Sequence, residues 1–265
     1  MRSPGGQYGG LMATQSIYET SSVANCAIGT RLPMGDRTFF YGHAVATVAA
    51  GLLAAPDASN AGPVLLADGS LVAMTAAQAQ LSPIAITAAL TVGQKFIALT
   101  HASALDNITK DELQNGYVVL TDSAGVDVIH KIKRNNAWSA SVADYVEIEL
   151  WDEIQAAMAD ATTGVILTCS QYRNLRPATQ GTDESPIGVP LVSVAAGYYG
   201  WFQTWGPAGV VTVTDTAIGG QDVEFQSTGQ VALRDTDGVE ARIGYGMADV
   251  TAAGDMGLVM LQIAP

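Results

Sequence analysis

The sequence predicts an all-β protein, a sandwich or barrel of short antiparallel strands with few short helices. Three observations carry the prediction. Apolar residues recur at a spacing of two in segment after segment, which puts them on one face of an extended chain. The segments are short and about ten residues apart, with Gly, Asp and Thr between them, as in sandwiches and barrels. Helical signals are confined to three candidates of at most about three turns, where folded helices usually run to three or four.

Taken in order, Arg37-Thr-Phe-Phe-Tyr41 follows the turn Gly35-Asp36 and reads as a strand. Residues 95–100 are the next. Residues 117–121 and 126–133 flank Asp122-Ser-Ala-Gly125, a four-residue connection suited to a hairpin. In the second of these, alternation turns His130 and Ile132 inward and leaves Lys131 and Lys133 to solvent or to an acidic patch on a partner. Residues 145–150 place Val146, Ile148 and Leu150 inward and Glu147 and Glu149 outward. Residues 165–169 form a short buried run. Beyond residue 205 come strands at 210–214, 222–226, 230–234, 241–245 and 258–263. The helix candidates are 75–80, 109–113 (stopped by Asn115-Gly116) and 152–161, whose acidic start suits the helix dipole.

One stretch stands apart: Gly197-Tyr-Tyr-Gly-Trp-Phe-Gln-Thr-Trp-Gly-Pro207 holds five large aromatics. An extended chain puts Tyr199, Trp201, Gln203 and Trp205 on one face, and Gly200, Phe202 and Thr204 on the other. Gly206-Pro207 is expected to end the strand, because proline gives no N–H to a ladder. A strand bulky on both faces is either sandwiched between layers or presents one face to a partner. Tyr199, Trp201, Gln203 and Trp205 are therefore the candidate interface residues.

Three Ala-Ala-Gly pieces, at 47–51, 193–197 and 250–254, echo one another at no fixed period and read as one recurrent turn that introduces a strand. The organisation expected is a flexible Gly-rich arm over 1–25, a β-rich region over 26–172, and a second over 187–265 that can join the first in one compact domain. The polar stretch 173–186 is the linker candidate, and residues 56–63 form a second loop.

Charged residues make up only 14% of the chain and apolar residues 48%, with a positive mean hydropathy. A typical soluble domain carries roughly 25% charged residues. The longest apolar stretches, 44–55 and 84–92, fall short of the ~20 residues of a membrane helix, so burial between subunits is the expected outlet. The net charge of −13, from 25 acids against 12 bases, argues against nucleic-acid binding. Cys26 and Cys169 lie far apart and are expected as free, buried thiols; nothing requires a disulfide. The first ten residues carry no hydrophobic signal core, so the chain is expected to act where it is made.

Catalytic constellations are weak. His43, His101 and His130 share no metal-ligand spacing. No nucleophile elbow, P-loop or G-x-G-x-x-G is present. Asp235-Thr-Asp237-Gly238 opens like a calcium loop but lacks the later oxygen ligands, and a hairpin turn is the simpler reading. Glu147 and Glu149, with Asp152 and Glu153 close behind, could in principle do glycosidase chemistry; their alternation with core residues reads as a solvated face. The aromatic stripe could stack on sugar rings, and a core or subunit seam accounts for it more simply. No catalytic, cofactor or metal residue is expected.

Two passages carry a resemblance. The first is Ala27-Ile-Gly-Thr-Arg-Leu-Pro-Met-Gly-Asp-Arg-Thr-Phe-Phe-Tyr41, followed by a small apolar run and an Ala-Ala-Gly turn. The second is Tyr199-Gly-Trp-Phe-Gln-Thr-Trp-Gly-Pro-Ala208, followed by Val-rich strands. With Leu113-Gln-Asn-Gly-Tyr-Val-Val-Leu120 and His130-Lys-Ile-Lys133, the chain from about residue 26 resembles the head decoration, or cement, proteins of tailed bacteriophages. The usual Asp-Gly-Arg turn of such proteins reads Gly35-Asp36-Arg37 here, which puts the turn type in question.

The resemblance implies a non-enzymatic virion component, assembled in the host cytoplasm. It would bind the major capsid protein on the capsid surface and form a homotrimer, without nucleic acid, membrane or cofactor. The alternative is a virion fibre or lectin-like module that binds host glycans through the aromatic strand.

Overall fold

The computed structural model describes residues 15–57, 64–65, 71–72, 86, 88–100, 110–122, 127–137, 145–159, 163–179, 185–213, 218–234, 241–250 and 252–265. The fold is all-β, and every strand pair among these residues is antiparallel.

In chain order the strands are β1 (Arg31–Met34), β2 (Arg37–His43), β3 (Ala54–Pro56), β4 (Val64–Leu65), β5 (Leu71–Val72), β6 (Phe96–Thr100), β7 (Tyr117–Asp122), β8 (Asp127–Asn135), β9 (Tyr145–Leu150) and β10 (Thr163–Thr168). The remainder are β11 (Leu175–Pro177), β12 (Val189–Pro190), β13 (Tyr199–Val211), β14 (Asp222–Phe225), β15 (Val231–Leu233), β16 (Arg242–Gly246) and β17 (Met256–Gln262). A single 3-10 turn, Ser227–Gly229, is the helical content among the described residues.

An eight-stranded sheet runs β1-β2-β13-β17-β16-β14-β15, with β12 also on β13. A seven-stranded sheet runs β5-β4-β10-β7-β8-β9-β6. The smaller sheet is drawn entirely from residues 64–168, and β3 and β11, on either side of that span, pair with each other. Residues 64–168 are thus an insertion into the larger sheet, entered and left through the β3–β11 ribbon. Each sheet carries its own buried cluster: Ile97, Leu120, Ile132 and Ile148 in the smaller, Val210, Val223, Val259 and Leu261 in the larger.

This connectivity redraws the sequence-based division. β1 and β2, expected within a region 26–172, belong to the sheet of 189–262 because β2 pairs β13 along Tyr199↔His43 to Trp205↔Thr38. The linker candidate 173–186 contains β11, held to Ala54–Pro56. Residues 15–25, grouped by sequence with the Gly-rich arm, are packed: Ile17 is buried beside Phe39, Tyr41 and Trp201, and Ser21 bridges Tyr199. Residues 1–14 and 58–63 lie outside the described residues.

Three local expectations fail for one reason: long-range pairing outweighs short-range preference. No helix forms at 152–159; the Ile154 N–H donates to the Gln94 carbonyl, and Leu90 and Met158 exchange hydrogen bonds. Residues 110–115 form turns, with Asp111 and Asn115 at positive φ, instead of a helix. Strands β15 and β16 do not pair as an Asp-Gly hairpin would require, since β14 stands between them. The Asp235–Gly238 segment and the 75–80 helix candidate lie outside the described residues.

The recurrent turn is real. Gly51, Gly197 and Gly254 sit at φ 79°, 78° and 83°, and the N–H of the next residue donates to the carbonyl of the first alanine in each case. This is a type II turn with glycine where positive φ is needed, and it leads into β3, β13 and β17. The two-residue β1–β2 connection places Gly35 at φ 63° ahead of Asp36, the arrangement of a II′ hairpin.

Candidate interaction site at the aromatic strand

β13 runs through the expected stop. Gly206, at φ 89°, and Pro207 lie inside a strand of thirteen residues. The strand changes company there: residues 199–205 pair with β2, and residues 205–211 pair with β17. Proline is tolerated where pairing to β2 has already ended. The register slips between Gln203 and Trp205, and the Gln203 amide donates to the carbonyls of Trp205 (3.0 Å) and Pro207 (2.8 Å). That side chain holds the bulge in shape.

Tyr199, Trp201 and Gln203 share the expected period-two face, but the bulge after Gln203 breaks the alternation and turns Trp205, opposite Thr38, to the other face. Trp201 is 2% exposed and Gln203 fully buried, while Tyr199 and Trp205 are half-buried. The opposite face is filled as well, by Phe202 against Ala44, Val48, Leu175 and Val194. Of the two readings open to the sequence, sandwiching between layers describes the centre of the strand. Surface remains at its Tyr199 and Trp205 positions.

One residue the sequence did not single out organises this region. Gln15 is 4% exposed. Its Oε1 accepts from the Tyr41 hydroxyl (2.7 Å) and from Asn25 Nδ2 (2.9 Å), its Nε2 donates to the Glu19 carbonyl (2.7 Å), and its own carbonyl accepts from Trp201 Nε1 (3.0 Å). A polar side chain so enclosed is stable only when its bonds are made. Nothing in the spacing around Gln15 signalled this, because its partners are distant in sequence.

The chemical candidates are dispersed. His43 packs against Tyr199 (ring centroids 4.7 Å), whereas His130 lies in the smaller sheet, buried as expected. Burial holds both imidazoles below their ordinary pKa, with the Arg173 charge adding to the effect at His43. His101 lies outside the described residues. No group of three metal-ligating side chains occurs among the described residues.

Glu149 departs from expectation. Glu147 is exposed, but Glu149 is 8% exposed, bonded to Lys133 Nζ (2.7 Å) and to Arg134 Nε. A bulge in the β8–β9 ladder between Ile132 and Arg134 brings both cations to the same carboxylate. The Lys133 hydrogen bond, reinforced by Arg134, holds the Glu149 carboxyl below its usual 4.5. An acid kept ionised this way is poorly suited to donate a proton in glycosidase chemistry.

The sign of its pH dependence follows. A carboxyl with a lowered folded pKa stabilises the fold above its unfolded value and loses that stabilisation as pH falls through the folded value. Glu149→Gln is therefore expected to lower the urea midpoint at pH 7 and to differ less from the wild type below about pH 4. An equal difference at both pH values would remove the ion pairs from the account.

Both cysteines are free and half-buried. Burial pushes Cys26 up to about 11 and Cys169 up to about 12. Only the thiolate alkylates readily, so iodoacetamide at pH 8 is expected to spare both thiols in the folded protein and to label both in urea. Rapid labelling of the native protein, read by mass spectrometry, would contradict this.

No protein-family model, no curated protein and no solved structure matches the chain.

Proposed function

We propose that this chain is a structural virion protein of a tailed bacteriophage that binds the outside of the capsid and stabilises it by bridging capsid subunits. The observation that supports the reading best is a juxtaposition. The two passages that resemble head decoration proteins, distant in sequence, are hydrogen-bonded neighbours, with Phe40 opposite Phe202 and Tyr41 opposite Trp201. The resemblance therefore falls on one continuous piece of sheet. The partners under this reading are the major capsid protein and further copies of the chain, as a homotrimer. The role is non-enzymatic, at the virion surface.

Light scattering on the purified protein, followed by its addition to capsids assembled without it, tests the proposal. A stable trimer that raises the temperature at which those capsids rupture supports it. A monomer that leaves capsids unbound and unprotected rejects it. The glycan-binding alternative has less to work with, since Trp201 is enclosed and stacking would fall to Tyr199 and Trp205.

A further inference from the structure

Strand β17 alternates in burial but not in polarity. Gly257, Val259 and Leu261 are buried, while Met256, Leu258 and Met260 face outward, Met256 57% and Leu258 43% exposed. A sheet with one face in water normally carries polar residues on that face. Cross-strand register extends the anomaly to both neighbours. Pro207, Met260 and Tyr245 stand in one row, Gly209 and Leu258 in the next, and Val211 and Met256 in a third. The Met247 N–H donates to the Leu258 carbonyl, which brings a further exposed methionine (45%) alongside. These rows contain no Asp, Glu, Lys or Arg across three adjacent strands.

The charge around the patch is uneven. At the end beside Met247 and Met256 stand Asp249 and Asp255, both exposed and with no ion pair among the described residues. On the β14 flank, Asp222 is paired with Arg242 at 2.9 Å, and Arg234 lies beyond it. Residues 187–265 as a whole contain eight acids and two bases. A second copy laid on this face would bring a second acidic half-chain against the first. A surface that is apolar at its centre and carries Lys or Arg at one margin would bury the methionines and neutralise Asp249 and Asp255 together. Methionine, flexible and polarisable, suits such a contact.

We propose that this outer face, centred on Met256, Leu258 and Met260, is the surface that docks onto a partner protein with an apolar, basic-rimmed patch. Resting on the virion reading, that partner is the capsid shell. The half-buried Tyr199 and Trp205 then lie at or beyond its edge.

The test measures binding of wild type, Leu258→Asp and Met256→Asp to capsids assembled without this protein. Ile129→Asp, an exposed apolar position (62%) on the smaller sheet, is the control. Each of the first two is expected to weaken binding at least about tenfold, as central interface residues do, with the control within about threefold. Asp249→Lys and Asp255→Lys are expected to weaken binding and to flatten its salt dependence. Should an aspartate variant melt early, Leu258→Gln carries the same comparison.

Wild-type binding that survives both β17 substitutions overturns this surface and leaves the virion reading standing. Loss of self-association by light scattering, with capsid binding intact, overturns it in favour of a second copy as the occupant. Absence of wild-type binding overturns the virion reading and the partner assignment with it.

Discussion

Trp201→Ala is expected to lower the stability of the protein by about 3–5 kcal/mol, the range for removing a large aromatic from a core. The indole is 2% exposed and meets Tyr41 edge-on at 5.1 Å. It packs in one cluster with Ile17, Phe39 and Tyr41, and its Nε1 donates to the Gln15 carbonyl. Truncation opens a cavity where β2, β13 and the 15–25 segment meet, and frees a carbonyl that anchors that segment. The urea midpoint is therefore expected to fall steeply, with early protease cleavage near residues 15–25.

Any loss of assembly in that variant would follow from unfolding. Trp205→Ala, at a half-buried position, is the substitution that speaks to an interface at this strand. A Trp201→Ala protein destabilised by less than about 1 kcal/mol would contradict the placement of this side chain in the core.

Gly116→Ala is expected to destabilise the smaller sheet by at least about 1–3 kcal/mol, the usual cost of overpacking. A methyl group there would overlap the carbonyl oxygen of Thr168 and lie 2.9 Å from the carbonyl carbon of Cys169. Those atoms are backbone, so no rotamer change relieves the clash. Gly116 also donates to the Leu113 carbonyl and accepts from the Ile132 N–H, which ties the 110–115 turn to β8 at the point where β7 begins. The alanine must pry apart the Tyr117↔Thr168 end of the β7–β10 ladder. Gly209→Ala is the matched control: its new methyl would meet nothing closer than 3.7 Å and is expected to stay within about 0.5 kcal/mol of wild type. Equal urea midpoints for the two variants would refute the clash.

Much of the strand content was legible because a half-buried strand writes its orientation into a period of two. Ile148 and Leu150 point inward as their alternation implies, and so do His130 and Ile132. The Ala-Ala-Gly turns were legible because positive φ selects glycine. Glu149 was misread as solvated because two cations from β8, brought beside it by a bulge, allow a carboxylate to sit where alternation alone leaves it in water. Gly206-Pro207 reads as a stop by its chemistry, yet the strand continues through it because β17 takes up the pairing there, just past the bulge that Gln203 braces. The apolar outer face had a signal: Met256, Leu258 and Met260 alternate with Gly257, Val259 and Leu261 without a polar residue among the six.

By itself the sequence determined the all-β class, most strand positions and the shared face of Tyr199, Trp201 and Gln203, while the bulge that takes Trp205 off that face was not legible in it. The legible features depend on backbone preferences and on which residues alternate within a few positions of one another. Only the tertiary structure decided that residues 64–168 are inserted between β3 and β11, that β2 lies against β13, and that Trp201 is core while Leu258 is surface. Those outcomes turn on which distant strand supplies the hydrogen bonds and covers the face. An isolated strand presents the same unpaired N–H and C=O groups to every partner, so its own residues do not record the choice.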